Sequence, residues 1–247
     1  MLKVSQISLQ HRLNNISFEM SAGECWHVLG QNGAGKSSLF DAISGLVTID
    51  SGSIEIDETN ISTISIAELS SRLAYLQQKY ALSFALKVDE LLDFYAGNKQ
   101  VPADIEKALS LSPLMSRSLQ SLSGGEQQRV HIARCLMQVW HSIQRGEALI
   151  LLDEPIQSLD VAHQEKALTL FKYFAGIGNL VVLSIHDVNL SLRFSDHVLM
   201  LKNKTDHQYG KSEDVMNAKN ITELYDYPFD ELKNEQNAEK IFIRAQL

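Results

Sequence analysis

Apolar and β-branched residues gather in short runs along this chain, separated by longer stretches in which apolar positions recur every three or four residues. The first pattern suits strands, whose side chains alternate between two faces, and the second suits helices with one buried stripe. Strands are predicted at residues 2–9, 16–20, 25–29, 73–76, 148–152, 180–185 and 197–201, with another where Ile54 and Ile56 alternate after the Ser51-Gly52-Ser53 turn. Helices are predicted at 36–44, 161–175 and 187–194, and after Gly125, where Ile132, Leu136 and Val139 fall at helical spacing. From about residue 84 to 121 the texture is helical, through Val88–Leu92 and 105–111, with Pro102 near a helix start. Strand–helix alternation then resumes, so the helical stretch reads as an insertion in an α/β core with a largely parallel sheet. The segment from about Asn220 reads as one short helix and a last strand at 241–244.

At 247 residues the chain suits one large domain or two modest ones. Hydrophobic residues at 45% and charged residues at 21% match a soluble globular domain and exclude a disordered or collagen-like chain. The net charge of −8 disfavours non-specific binding to nucleic acid or anionic lipid. Cys25 and Cys135 do not make a disulfide framework and are expected as reduced cytosolic thiols. No apolar run is long enough to span a bilayer, and the N-terminus has no secretion-signal core. If the protein works at a membrane, another protein is expected to hold it there.

The chemistry concentrates at Gly30-Gln31-Asn32-Gly33-Ala34-Gly35-Lys36-Ser37, which fits the phosphate-binding loop pattern, with Ser38 next on the helix. Gly30, Gly33 and Gly35 allow a tight curl that aims backbone N–H groups at phosphate oxygens. The helix starting near Lys36 adds its positive end at the same point. Lys36 is expected to reach the β- and γ-phosphates, and the Ser37 hydroxyl to ligate Mg²⁺. The buried strand 148–152 runs into Asp153 and Glu154, where Asp153 would hold the same metal and Glu154 a water in line with the γ-phosphate. His131 and Cys135 lie one turn apart on a helix, but two ligands rarely suffice for a metal site. Trp26 and Trp140 read as packing residues.

Leu122-Ser123-Gly124-Gly125-Glu126-Gln127-Gln128-Arg129-Val130 resembles the signature sequence of ATP-binding cassette (ABC) ATPases and lies between the two phosphate motifs, in the family's order. Three further segments resemble the family in order: Gln78, with Gln77 as the alternative register, matches the Q-loop glutamine; Ser158-Leu159-Asp160 the D-loop; and Ser184-Ile185-His186-Asp187 the H-loop. The resemblance covers the chain to about residue 205. It implies a P-loop core with a mostly parallel sheet, an antiparallel β part, an inserted helical subdomain at about 84–145 and a C-terminal extension at about 220–247, all in one domain of residues 1–247.

It also implies ATP and Mg²⁺ as ligands, with Glu154, His186, Gln78 and Lys36 catalytic and Ser37, Gln78 and Asp153 around the metal. Ser123, Gly124, Gly125 and Asp160 would serve the nucleotide of a second copy, in a two-fold dimer with ATP sandwiched between the protomers. The family often stacks adenine on an aromatic residue near the start of the chain; here residues 7–15 offer only the ring of His11. Gln31 stands where proline is frequent, on what should be the loop exterior.

Three classes share this engine: a transporter subunit, a soluble ATPase acting on DNA or ribosomes, and a non-hydrolytic module. The short chain between Ser37 and Leu122 leaves no room for long coiled coils, there is one cassette where translation-factor members usually carry two, and Glu154 and His186 are intact. The resemblance therefore favours a peripheral subunit on the cytoplasmic face of the bacterial inner membrane. Its partners would be two membrane-spanning permease subunits, docked near residues 78–96, and a periplasmic substrate-binding protein, with no nucleic acid. The run from Asp153 to Gln164, the connector from Met137 to Glu147 and the close after Leu224-Tyr225-Asp226-Tyr227-Pro228-Phe229 are similar to the cobalamin-importer branch, with ferric-siderophore or haem import as the alternative.

Overall fold

A computed structural model describes residues 1–78, 86–96, 100–233 and 240–245. The expected start of the helical stretch near 84 and residues 79–85 of the expected docking region lie outside these residues. The chain opens with β1 (Leu2–Leu9), β2 (Leu13–Met20) and β3 (Cys25–Leu29), then α1 (Lys36–Ile43), β4 (Ser51–Ile56) and β5 (Thr59–Asn60). α2 (Ile66–Arg72) leads directly into β6 (Leu73–Leu76). The helical stretch contains α3 (Val88–Ala96), α4 (Ala103–Leu109), α5 (Gly124–Gln138) and α6 (Trp140–Arg145). Alternation returns with β7 (Leu149–Asp153), α7 (Val161–Gly176), β8 (Leu180–Ser184), α8 (Val188–Phe194), β9 (His197–Lys202) and β10 (Asp206–Lys211). The chain closes with α9 (Ser212–Val215), α10 (Ala218–Tyr225), β11 (Phe229–Lys233) and β12 (Lys240–Arg244).

Most predicted elements are present, with shifted ends. β2 starts three residues before the expected 16, because its residues continue to pair with β1 through Leu13↔Leu9. α4 covers 103–109 rather than 105–111: Ser110 turns left-handed at φ 49 and stops it. The segment from about Asn220 holds the expected short helix, α10, and the expected last strand, β12, which pairs with a further strand, β11, into a hairpin.

A six-stranded sheet in the order β10-β9-β3-β8-β7-β6 forms the centre, parallel except for the antiparallel edge strand β10. Every residue of β3, β7 and β8 is buried, as expected for parallel strands covered on both faces. Alternate side chains serve different cores. Ile150, Leu152, Val181 and Leu183 pack with α3 through α7. Leu149, Leu151, Leu180 and Val182 pack with α1 and with a second, antiparallel sheet ordered β2-β1-β4-β5. A third cluster, with Met216, Ile221, Leu224 and Phe242, holds the C-terminal segment against Leu29 and Met200. Trp26 is buried and stacks on His197 with ring centroids 4.7 Å apart, and Trp140 meets Phe174 edge-on, so both tryptophans are packing residues.

This strand order decides where the chemistry sits. β3, β8, β7 and β6 are parallel neighbours, so their carboxyl ends open onto one edge of the sheet. That edge receives Gly30 from β3, His186 from beyond β8, Asp153 and Glu154 from β7, and Gln78 from beyond β6. Ligands of open α/β sheets bind at such an edge.

Candidate nucleotide site

A cleft of about 380 Å³ opens at this edge, lined by Asn32, Gly33, Gly35, Lys36, Ser37, Ser38, Gln78, Glu154 and Gln157, with Arg12 and Lys204 at its rim. The loop wraps back on itself, and Lys36 Nζ donates to the carbonyls of Gly30 at 2.7 Å and Gln31 at 3.1 Å. Two glycines are required by space. A Cβ on Gly30 would lie 2.4 Å from the Leu201 carbonyl oxygen, and one on Gly35, at φ +105, would lie 2.9 Å from that of Arg12. Burial pushes the Lys36 pKa down, and Glu154 and Asp153 oppose that shift. Arg12, Lys36 and Lys204 give the cleft a local positive field although the chain as a whole is acidic.

Glu154 is the focus of the polar network. Its carboxylate accepts from Gln78 Nε2 at 2.7 Å, and its other oxygen lies 2.7 Å from His186 Nε2, which donates to it. Its backbone is left-handed at φ 51, an uncommon conformation for a non-glycine residue, and its N–H is held by Ser184 Oγ at 2.8 Å. The same Ser184 hydroxyl donates to Asp153 Oδ1. Asp153 is 1% exposed, and its second oxygen is buried with no protein partner among the described residues. A buried, unpartnered carboxylate oxygen is costly unless a cation meets it. Ser37 lines the cleft beside Lys36, and the hydroxyl and carboxylate donors of Ser37 and Asp153 are of the kind that suits a hard divalent ion such as Mg²⁺.

The structure therefore brings together Lys36, Ser37, Ser38, Gln78, Asp153, Glu154 and His186. Between the two candidate glutamines, Gln78 is the one that reaches Glu154. Gln31 contributes its main chain to the loop, while its side chain points outward to Asp226 Oδ2 at 3.0 Å. Ala34 is buried and lines a neighbouring hollow.

Ser123, Gly124 and Gly125 do not line the cleft. They begin α5, where Ser123 and Glu126 form a reciprocal capping box: Glu126 N–H to Ser123 Oγ at 3.3 Å and Ser123 N–H to Glu126 Oε2 at 2.8 Å. Gly125 packs on the Ser158 carbonyl, where a Cβ would come within 2.7 Å. Asp160 likewise stands apart, exposed at the start of α7 and accepting from the His163 backbone at 2.9 Å. His11 lines a hollow that shares Arg12 and Lys204 with the cleft.

Ser184, inside the matched H-loop string, has a role the sequence did not show: its hydroxyl donates to the Asp153 carboxylate and accepts from the Glu154 backbone N–H. Sequence reasoning also missed Arg12, Gln157 and Lys204, whose arrival depends on folding; only the turn pair Asn203-Lys204 hinted at a loop there. Among the described residues no group of three or more His, Cys, Asp or Glu side chains comes together to hold a metal ion. No helix among the described residues is long and apolar enough to cross a membrane.

The ABC transporter family model matches residues 13–157, more than half of the chain. The vitamin B12 import ATP-binding protein BtuD of Vibrio atlanticus is 34% identical over 91% of this chain and 93% of its own length. The hemin import ATP-binding protein HmuV of Shewanella denitrificans is 36% identical over 92% of this chain and 94% of its own. Among solved structures, an inward-facing metal-chelate type ABC transporter aligns with a TM-score of 0.78 at 24% identity over 99% of this chain and 97% of that one. A dimeric ATP-binding cassette in a post-hydrolysis state with ADP and Pi aligns with a TM-score of 0.71 at 24% identity, over 86% of this chain and 99% of that one. These two share the fold. With its phosphate loop, paired carboxylates and signature in one α/β frame, the chain belongs to the ABC transporter family and is an ATPase of the kind that couples hydrolysis to transport.

Proposed function

We propose that this chain energises import of vitamin B12 across a bacterial inner membrane, as a single cassette whose helical part, about 84–145, is inserted in the core and whose C-terminal extension begins near 220. The observation that carries the catalytic half of this reading is the separation of the signature from the cleft. Ser123, Gly124 and Gly125 present an amide-rich helix start to solvent, while the phosphate loop sits elsewhere on the same chain. One triphosphate needs both, so two copies related by a two-fold axis complete two sites, with Asp160 crossing between them.

Within a site, the loop amides and Lys36 bind and orient the triphosphate. Asp153 and Ser37 would hold Mg²⁺, which when bound offsets charge on the β- and γ-phosphate oxygens. Glu154 orients the attacking water and polarises its O–H bond. The water oxygen bonds to the γ-phosphorus as the bond to the ADP oxygen breaks, the water's proton passes by way of Glu154 to the phosphate product, and Lys36 stabilises the charge that moves. In the structure both Glu154 oxygens are engaged, by Gln78 and His186. Freeing one of them when ATP arrives gates hydrolysis, and closure of the dimer followed by opening supplies the mechanical output. Permease subunits would dock near Gln78 on the cytoplasmic face and receive cargo from a periplasmic binding protein.

Glu154→Gln tests the catalytic reading: ATP binding should persist and turnover should fall by a factor on the order of 10² or more. Ser37→Cys of one copy should crosslink to Ser123→Cys of its mate when ATP is trapped. Near-normal hydrolysis, or no crosslink, rejects it. Cargo is decided by uptake of radiolabelled cobalamin in cells lacking this chain. The similarity to a hemin import protein supports haem as the second reading, so undiminished cobalamin uptake with impaired hemin uptake would replace the first with the second.

A further inference from the structure

The residues that end α10 lie against two loops of the catalytic edge without lining the cleft themselves. Tyr225 is the last residue of α10, and Asp226 caps it in the left-handed conformation at φ 51. The Tyr225 hydroxyl donates to the main-chain carbonyl oxygen of His186 at 3.5 Å. This hydroxyl thus touches the main chain of the residue whose imidazole meets Glu154. Burial, with Asp187 nearby, pushes the Tyr225 pKa up to about 12, so the hydroxyl keeps its proton at working pH.

Neighbouring contacts fix this position. Gln31 donates to the Leu224 carbonyl at 3.3 Å and to Asp226, whose other oxygen accepts from Lys202 at 2.7 Å. On the far side of His186, the Asn189 amide and the Phe242 backbone exchange two hydrogen bonds, at 3.0 and 2.8 Å. The C-terminal segment therefore grips the phosphate loop at Gln31 and the switch segment at His186 and Asn189. Two loops that must keep sub-ångström register across the cleft share one external brace.

We propose that Tyr225 is a positioning residue for hydrolysis: its hydroxyl holds the main chain of His186 while its neighbours Leu224 and Asp226 hold the phosphate loop at Gln31, and so it places the imidazole that engages Glu154. The proposal rests on the roles given above to Glu154 and His186. It predicts an effect on the chemical step rather than on ATP binding, because Tyr225 does not line the cleft. Loss of one neutral hydrogen bond of this kind corresponds to a change of roughly 3- to 10-fold.

Tyr225→Phe keeps the ring and removes the oxygen. Steady-state hydrolysis at saturating Mg·ATP should show kcat lowered about 3- to 10-fold with KM within about twofold and an unchanged thermal midpoint. Because Tyr225 acts through His186, the double variant with His186→Ala should hydrolyse at the rate of His186→Ala alone. An unchanged kcat, a raised KM at normal kcat, or an equal further loss in the His186→Ala background would each overturn the proposal. Wild-type turnover in His186→Ala would instead sink the role of His186 itself, which separates the two failures.

Discussion

Acid should destabilise this protein well above the range in which carboxylates titrate, and His27 should set much of the slope. His27 lies in the middle of β3, is fully buried, and has no partner for either ring nitrogen among the described residues. Burial lowers its pKa from 6.5 to about 3; Lys172 pushes the same way and Asp196 opposes. The unfolded chain binds a proton near pH 6.5 and the native protein does not until about 3, so between those values the unfolded state holds more protons. Stability is therefore present above 6.5 and falls with pH by up to about 1.4 kcal/mol per unit for this one group. His131, lowered to about 4 chiefly by burial, adds a second slope in the same direction.

The two together approach, without reaching, a ceiling of about 2.8 kcal/mol per unit near pH 5, against a total of roughly 5–15 kcal/mol for a typical domain. His27→Leu, of similar volume, should match or exceed the wild type at pH 7, because two unpaired nitrogens leave the core, and should lose about half of the acid slope. Urea unfolding midpoints at pH 7, 6, 5 and 4.5 measure both. A variant whose midpoints fall with pH as steeply as those of the wild type would refute the assignment.

Two more tests concern the signature and the lysine. Gly125→Ala places a methyl 2.7 Å from the Ser158 carbonyl and should cost about 1–3 kcal/mol in unfolding free energy, whereas Gly124→Ala meets nothing within 4 Å and should keep its thermal midpoint while losing turnover. Equal midpoints for the two would reject the packing role of Gly125. Lys36 has its pKa lowered by burial in the free protein, and phosphate binding should raise it, so ATP binding takes up protons and weakens as pH rises through the free-state value. Calorimetry in buffers of different ionisation enthalpy reads this directly, and a proton count of zero at every alkaline pH contradicts it.

The phosphate loop, the carboxylate pair and the signature were legible because each draws its meaning from neighbours in sequence. Glycines at fixed spacing allow the curl, an apolar strand delivers Asp153, and Ser123 with Glu126 three residues later is a local helix cap. The buried strands were legible from unbroken apolar runs. What escaped depends on distant pairing. β10 carries no apolar alternation and forms because its backbone pairs with β9, and the β11–β12 hairpin exists through cross-strand register.

The site divides in the same way. Residue types and spacing determined which chemistry the chain carries. Only the strand order β3-β8-β7-β6 set Gln78 and His186 on the two oxygens of Glu154, put one Ser184 hydroxyl on both carboxylate residues, and turned Gln31 away from the loop toward Asp226. Side chains can touch across such distances only when nonlocal backbone hydrogen bonds fix the order and stagger of the strands, and no local pattern of residues encodes that order.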